Sequence, residues 1–265
     1  MNIITLTTDF GMQDGFVGTM KGVIWSILRD VQIADISHDI TPQNILEGAY
    51  ALWRAAPYFP AGTVHVAVID PGVGTSRRPI AIKNGVQYLV GPDNGVFTPL
   101  LMEANSLGRG TEIVLLDQPQ YWLPRVSHTF HGRDIFAPVA AYLAQGVPLR
   151  ELGTLISDPF LLSLPQPEKT RDGWIAHVTI IDVFGNLTTD LPASEIGNHP
   201  IILHLHGRKI DQVVTSYGHR PAGELVALVD SEDYLEIAQV NGNAAKALGA
   251  KVGDIVEVVI SKHEQ

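Results

Sequence analysis

Val64-His65-Val66-Ala67-Val68-Ile69-Asp70-Pro71-Gly72-Val73-Gly74-Thr75-Ser76-Arg77-Arg78 decides how this chain is read. An apolar run ends abruptly in an acid and then in a Pro-Gly-x-Gly turn. An α/β fold presents a side chain in this way at the C-terminal edge of a strand, where such folds bind ligands. The N-terminus repeats the pattern: Ile3-Ile4-Thr5-Leu6-Thr7-Thr8 runs into Asp9-Phe10-Gly11. Two strands that each end in an acid and a glycine turn point to a site.

Outward from these two strands, the first 155 or so residues alternate strand-like and helix-like pieces. Strands are predicted at Ile3–Thr7, Val31–Ile36, Val64–Ile69, Pro79–Lys83, Gln87–Val90 and Glu112–Leu116. Helices are predicted at Gly15–Leu28, Ile45–Ala56 and Asp134–Ala144. In the first of these, Phe16, Met20, Val23, Ile24 and Ile27 fall at helical spacing. The alternation predicts a parallel or mixed sheet with helices on both faces. Around 157–170, Ser-Asp-Pro, Leu-Pro and Gln-Pro read as an extended connection. Short strands follow at Ile175–Ile181, Ile201–His206, Glu224–Val229 and Ile255–Ile260, separated by Gly and Asn turns. The expected organisation is an N-terminal α/β (Rossmann-like) sheet domain over 1–160, a linker over 161–172 and a smaller C-terminal β-rich domain over 173–265.

The 265-residue chain is 45% hydrophobic, ample for a core. No apolar run reaches the roughly 18 residues of a membrane span. The first residues enter a strand-like segment without the basic start and apolar run of a signal peptide. The chain has no cysteine, which excludes disulfides, thiolate nucleophiles and cysteine metal ligands. A cytoplasmic location is expected. The net charge of −10, with scattered Lys and Arg, argues against nucleic acid as a partner.

Asp9 and Asp14 head the first strand-to-helix crossing. A carboxylate there either accepts hydrogen bonds from ligand hydroxyls, such as a ribose diol, or caps the helix. Asp70 is either a base, ligand anchor or metal ligand, or simply a turn residue before Pro-Gly. Arg77, seven residues on, could return to pair with it and keep it ionised, which spacing alone does not show. In Ser127-His128-Thr129-Phe130-His131-Gly132-Arg133-Asp134, His131 beside a glycine reads as a presented imidazole suited to proton transfer, or as a structural histidine. Asp182-Val183-Phe184-Gly185-Asn186 offers an ammonium partner, a stacking face and an amide, or else an ordinary hairpin. Asn241-Gly242-Asn243-Ala244-Ala245 is a tight turn into a helix whose N–H groups suit an anion or an adenine edge. Zinc spacings, a Walker loop and G-x-S-x-G are absent from the sequence.

Together these segments resemble the S-adenosyl-L-methionine (SAM) hydroxide adenosyltransferases, adenosine-forming SAM hydrolases related to the 5′-fluorinase and 5′-chlorinase. The resemblance rests on Thr8-Asp9-Phe10-Gly11, Asp39-Ile40-Thr41-Pro42, Asp70-Pro71-Gly72-Val73-Gly74-Thr75, Gly91-Pro92-Asp93-Asn94-Gly95, Thr129-Phe130-His131-Gly132-Arg133-Asp134, Phe184-Gly185-Asn186 and Asn241-Gly242-Asn243-Ala244. It implies a C-terminal β-barrel-like domain and a homotrimer with SAM bound between subunits. It also implies a hydrolytic triad of Asp70, Arg77 and His131. By the same resemblance Asp9 holds the ribose diol, Asp182 and Ser231 hold the methionine amine and carboxylate, Asn186 contacts adenine, and Phe130 forms a pocket wall. Asp14, Phe184, Asn241 and Ala244 complete the expected substrate contacts. No metal or cofactor is expected, SAM being the substrate.

The halogenases resemble the chain too, but they carry Tyr where this chain has Asp70, and a carboxylate there repels a halide. The implied reaction is displacement at C5′ by water or hydroxide, with methionine leaving as a neutral thioether. Whether His131 or Asp70 takes the proton is open in the sequence. The alternatives are a metal-dependent nucleotide phosphoesterase using Asp9 and Asp70, or a SAM-binding module without turnover.

Overall fold

The computed structural model describes residues 2–197 and 199–261, so the outermost residues of both expected domains lie outside it. The chain divides into two compact units, the first ending at Leu162 and the second beginning at Ser163.

In the first unit the elements are β1 (Asn2–Thr8), α1 (Phe16–Ile27), β2 (Val31–Ser37), α2 (Ile45–Ala55), β3 (Val64–Val68), β4 (Pro79–Asn84), β5 (Gln87–Pro92), α3 (Thr98–Ser106), β6 (Thr111–Leu115), α4 (Ala137–Gln145) and β7 (Thr154–Ile156). The strands form one sheet in the order β2-β1-β3-β5-β4-β6-β7. The β2-β1-β3-β5 half is parallel, and the β5-β4-β6-β7 half is antiparallel. The mixed sheet follows from its connections. β4 and β5 are joined by the short Asn84-Gly85-Val86 turn, which permits only an antiparallel pair, whereas β1, β2 and β3 are linked through helices.

Side chains alternate across β3. Val64, Val66 and Val68 pack on one face with Val17, Met20 and Ile24 of α1 and Val139, Ala140 and Leu143 of α4. Ala67 and Ile69 pack on the other, with Leu52 of α2 and Leu100 of α3. Both faces are covered, so the central strands read as continuous apolar runs.

Helix α3 was not foreseen. Pro99 lies in its first turn, a proline that reads as a breaker in sequence but suits a helix start. A π-helical turn at Gly132–Phe136 leads into α4, with Ala137 N bonded to Gly132 O five residues back. Such widened turns concentrate at functional positions.

The second unit contains β8 (Glu168–Lys169), β9 (Gly173–Ile181), β10 (Leu187–Pro192), α5 (Ala193–Ile196), β11 (Ile201–Leu205), β12 (Arg208–Ile210), β13 (Leu225–Val229), β14 (Tyr234–Gln239), α6 (Ala244–Leu248) and β15 (Ile255–Ile260). Its antiparallel sheet runs β12-β11-β15-β9-β10-β14-β13, with β8 added beside β9. The two ends of this order approach each other. Just past β12, Val213 bridges to Ala227 of β13, and Ala227 N donates to Gln212 O at 2.9 Å. The sheet is thereby nearly closed into a barrel around Trp174, Val178, Leu203, Ile237 and Val256. Strand β10 was hidden by its threonines and β14 by the buried Glu236, which accepts a hydrogen bond from Tyr217 Oη at 2.8 Å.

Candidate active site

β1 and β3 are parallel neighbours with Thr8 beside Val68, so Asp9, one residue past Thr8, and Asp70, two residues past Val68, leave the same edge of the sheet. A cavity of about 270 Å³ opens there. Its wall includes Asp9, Gln43, Asp70, Phe130, His131 and Gly132. Val68, Phe10 and Phe130 place it on the α1/α4 face of the sheet.

Asp70 and Arg77 close the loop between β3 and β4. Arg77 Nε donates to Oδ1 of Asp70 at 3.1 Å, and Nη2 donates to Oδ2, a two-pronged pair that fixes both planes. The side chains are only 4% and 7% exposed. Arg77 Nη2 also donates to Nδ1 of His131 at 3.0 Å. The guanidinium lies 5.3 Å from the Phe136 ring centre, and its Nη1 is buried without a partner among the described residues.

This arrangement fixes the state of His131. A guanidinium has no acceptor, so Nδ1 must carry a lone pair and the neutral ring must hold its proton on Nε2. Burial lowers the His131 pKa below its ordinary value, and the positive charge of Arg77 lowers it further, against smaller upward pulls from Asp70, Asp134 and a hydrogen bond with the Ser127 backbone. The imidazole is therefore neutral near pH 7. With Nδ1 accepting from Arg77, the proton of the neutral ring lies on Nε2, and a hydrogen bond with the Ser127 backbone also acts on the ring.

The loop before His131 is held by Asp134, whose Oδ2 accepts from Ser127 N at 2.8 Å and Ser127 Oγ at 2.7 Å. Burial raises the Asp134 pKa, but the bonds from Arg133 and Ser127 outweigh it and the net shift is downward. Gly74 has φ +75°, and a Cβ there would strike the His128 carbonyl, so the 70–77 loop packs directly on the His131 loop.

Asp9 accepts through Oδ2 from Gln43 N at 2.8 Å. Oδ1 has no bond among the described residues and is free to accept from a hydroxyl. Phe130 stands in a triad of rings with Phe10 and Phe16, at centroid separations of 5.8 and 5.2 Å. Asp14 is exposed and lies outside the cavity wall. It does not cap α1 either, whose N-cap is Gly15 with no side-chain bond.

In the second unit the expected contact residues gather at the β9–β10 turn and the start of α6. Asp182 Oδ1 accepts from Phe184 N at 3.0 Å and Asn186 N at 2.8 Å, while Oδ2 accepts from Asn186 Nδ2 at 3.0 Å. The turn thus uses Asp182 for its own folding, and Asn186 is held by it. Val183 and Phe184 project outward, 90% and 70% exposed. Ala245 N donates to Gly185 O at 2.9 Å, joining this turn to the Asn241–Ala244 segment. Asn241 has φ +49°, and Ala244 is fully buried. Ser231 is exposed and donates to Glu232 Oε1 at 2.9 Å.

Gln43 escaped the sequence reading. Its signal, a non-glycine residue with φ +67° whose N–H reaches Asp9, is visible only in three dimensions. Among the described residues no group of three or more His, Asp or Glu side chains is placed to hold a metal ion. No helix of the described residues is long and apolar enough to cross a membrane.

Residues 4–153 match the family model of the SAM hydroxide adenosyltransferase N-terminal domain, and residues 176–257 match that of the C-terminal domain. The (R)-S-adenosyl-L-methionine hydrolase of Salinispora arenicola is 40% identical, the match covering 96% of this chain and 97% of that protein. A fluorinase of Nocardia brasiliensis is 27% identical over 97% of each. A solved structure of an uncharacterized conserved protein from Thermotoga maritima superimposes with a TM-score of 0.88 at 36% identity, covering 97% of this chain and 99% of that one.

Proposed function

The chain belongs to the SAM hydroxide adenosyltransferase family, and from that premise we propose that it is an enzyme hydrolysing SAM to adenosine and L-methionine. The observation that carries the mechanism is Arg77 bonded at once to Asp70 and to Nδ1 of His131 in the cavity wall. Sulfonium is an activated leaving group, so the difficulty lies with the nucleophile, water, whose bulk pKa is about 15.7.

The water oxygen attacks C5′ in line with the C5′–S bond. As the C–O bond forms, the C–S electron pair returns to sulfur and methionine leaves as a neutral thioether. The attacking oxygen becomes acidic only as it binds carbon, and its proton then passes to Asp70. His131 serves as an Nε2–H donor that orients the water, and Arg77 holds both partners rigid. This assignment makes Asp70 the base. Asp9 accepts from the ribose hydroxyls through Oδ1, and Phe130 walls the adenosine. Asp14, Asp182, Phe184, Asn186, Ser231, Asn241 and Ala244 are the proposed remaining contacts, those beyond Asp14 coming from the second unit of a neighbouring subunit in a homotrimer. The trimer is the expectation that the family resemblance carries, and the cytoplasmic location the expectation from the sequence composition.

Incubation with SAM of defined sulfur configuration in ¹⁸O-water tests the reaction, and both sulfonium epimers are needed because the Salinispora relative is named for the R form. Adenosine labelled at its 5′ oxygen is expected, with activity unchanged by EDTA. Unlabelled adenosine, 5′-chloroadenosine in chloride buffer, or SAM bound without turnover would overturn it. Mixing Asp9→Ala with Asn186→Ala subunits should restore activity through hybrid sites.

A further inference from the structure

The loop from Asp70 to Arg77 carries two of the proposed triad at its two ends. It is anchored by the residues just outside it, Ile69 and Arg78, and both anchors are gripped by one adjacent pair on the turn after β5. Asn94 Nδ2 donates to Ile69 O at 2.8 Å, and Asn94 Oδ1 accepts from Val96 N at 3.2 Å. Ile69 lies beyond the last residue of β3, where the parallel partner β5 has already ended at Pro92. The amide of Asn94 therefore supplies the bond that the sheet no longer provides.

Asp93 grips the other end. Its N–H donates to Arg78 O at 2.9 Å, and its Oδ2 accepts from Arg78 Nε at 2.7 Å. Oδ1 accepts from Phe160 N at 2.7 Å. The Asp93 side chain is only 3% exposed, and Arg78 also donates to Asp158 Oδ1 at 3.0 Å. Arg77 and Arg78, adjacent in sequence, thus have opposite duties, one in the cavity wall and one in the anchor. Neither Asp93 nor Asn94 lines the cavity.

We infer that Asp93 and Asn94 are positioning residues for the reaction, a clamp that fixes the separation of the loop ends and so the placing of Asp70 and Arg77 against His131. The inference rests on the SAM-hydrolysing reading above. Its physical basis is that an in-line displacement tolerates little error, a shift of 1 Å costing about 10²-fold in rate. The cavity wall itself is untouched by either residue, so substrate affinity should be spared.

The test combines kinetics with a spectroscopic measurement that needs no turnover. Asn94→Ala is expected to lower kcat by about 10- to 10²-fold with KM for SAM within about threefold of wild type. Combined with Asp70→Asn it should cost less than about twofold further, because the group it positions is gone. Asp93→Asn, which keeps an acceptor for Phe160 N, is the second variant should Asn94→Ala not fold, with the same kcat-only loss expected. In unliganded protein, ¹⁵N spectra should show the single Nε2–H tautomer of His131 in wild type and a mixture in Asn94→Ala. Full kcat in both variants, a KM effect alone, multiplied losses in the double variant, or an unchanged tautomer would overturn the clamp. If wild type forms no adenosine yet the tautomer depends on Asn94, the clamp stands and the hydrolytic reading falls.

Discussion

Arg77 donates to Nδ1 of His131 across 3.0 Å, and this bond removes the histidine from the list of available bases. The sequence left the base undecided between His131 and Asp70. The geometry separates them, because the only ring nitrogen with a lone pair already faces a permanent cation. The imidazole is also pushed below its ordinary pKa by burial and by Arg77. Protonation, which would break the bond from Arg77, thus has its midpoint below the ordinary 6.5. We expect kcat/KM to fall at acid pH with a midpoint below 6.5, matched by the His131 midpoint in ¹⁵N NMR. A midpoint above 6.5 would contradict the assignment.

The same tautomer distinguishes two isosteric changes. A glutamine amide nitrogen overlays the Nε2 position of histidine, and an asparagine amide nitrogen overlays Nδ1. His131→Gln should therefore retain more kcat than His131→Asn, since only the former keeps a donor towards the cavity. The reverse order would make Nδ1 the working nitrogen.

Gly74 has φ +75° and sits where a Cβ would meet the His128 carbonyl. A left-handed backbone costs a non-glycine residue about 1–2 kcal/mol before the clash is counted. Gly74→Ala should lower the thermal midpoint and also reduce kcat, because relief of the clash moves the His131 loop away from Asp70. A variant with normal kcat would show that the two loops are not mechanically linked.

Much of the first unit was legible because its signals are local. The strand-end acids Asp9 and Asp70 mark the site in sequence, and β1 and β3 bring them together as parallel neighbours. Strand–helix alternation leaves the sheet parallel or mixed, and the short turn between β4 and β5 is what makes it mixed. Helix α3 was not legible, since Pro99 masks it, and neither were β10 and β14, whose polar residues are satisfied by distant partners such as Tyr217. Spacing left the pairing of Arg77 with Asp70 as a possibility only, and nothing in it pointed to the bond to His131, 54 residues away. Asp182 shows the opposite case. Sequence leaves its carboxylate open between a ligand group and a hairpin residue, and both oxygens bond within its own turn.

His65 lies on β3, fully buried, with Nδ1 2.8 Å from Thr5 Oγ1. Burial pushes its pKa down to about 4, against a smaller upward pull from Gln87. A histidine with a depressed folded pKa contributes stability above its unfolded value of 6.5, and that stability is lost as pH falls from 6.5 towards 4. Between pH 7.5 and pH 5 this linkage amounts to about 2 kcal/mol. Urea denaturation at the two pH values should show that loss in wild type and a markedly smaller one in His65→Leu. Equal losses in both proteins would mean that His65 is not the titrating group.

The proposed roles divide the site into groups that act on water and groups that hold SAM, and the two should fail differently. Asp70 and His131 would contribute in the transition state, so their loss should lower kcat with little change in KM. General-base assistance is worth about 10²–10⁴-fold, which sets the expected loss for Asp70→Asn. Arg77→Ala should match it, since it leaves Asp70 and His131 without the group that joins them. Arg78→Ala belongs to neither class, because Arg78 bonds Asp93 and Asp158 outside the cavity; it should lose kcat more mildly than Arg77→Ala. Asp9→Asn, which keeps an oxygen but removes the charge, should raise KM and spare kcat. Asp182→Ala should act through its turn, freeing the N–H groups of Phe184 and Asn186, so weakened SAM binding should come with a lower thermal midpoint. Steady-state kinetics beside calorimetric titration with SAM would resolve the classes. If Asp70→Asn abolished SAM binding rather than turnover, Asp70 would be a substrate anchor and the assignment of the base would fail.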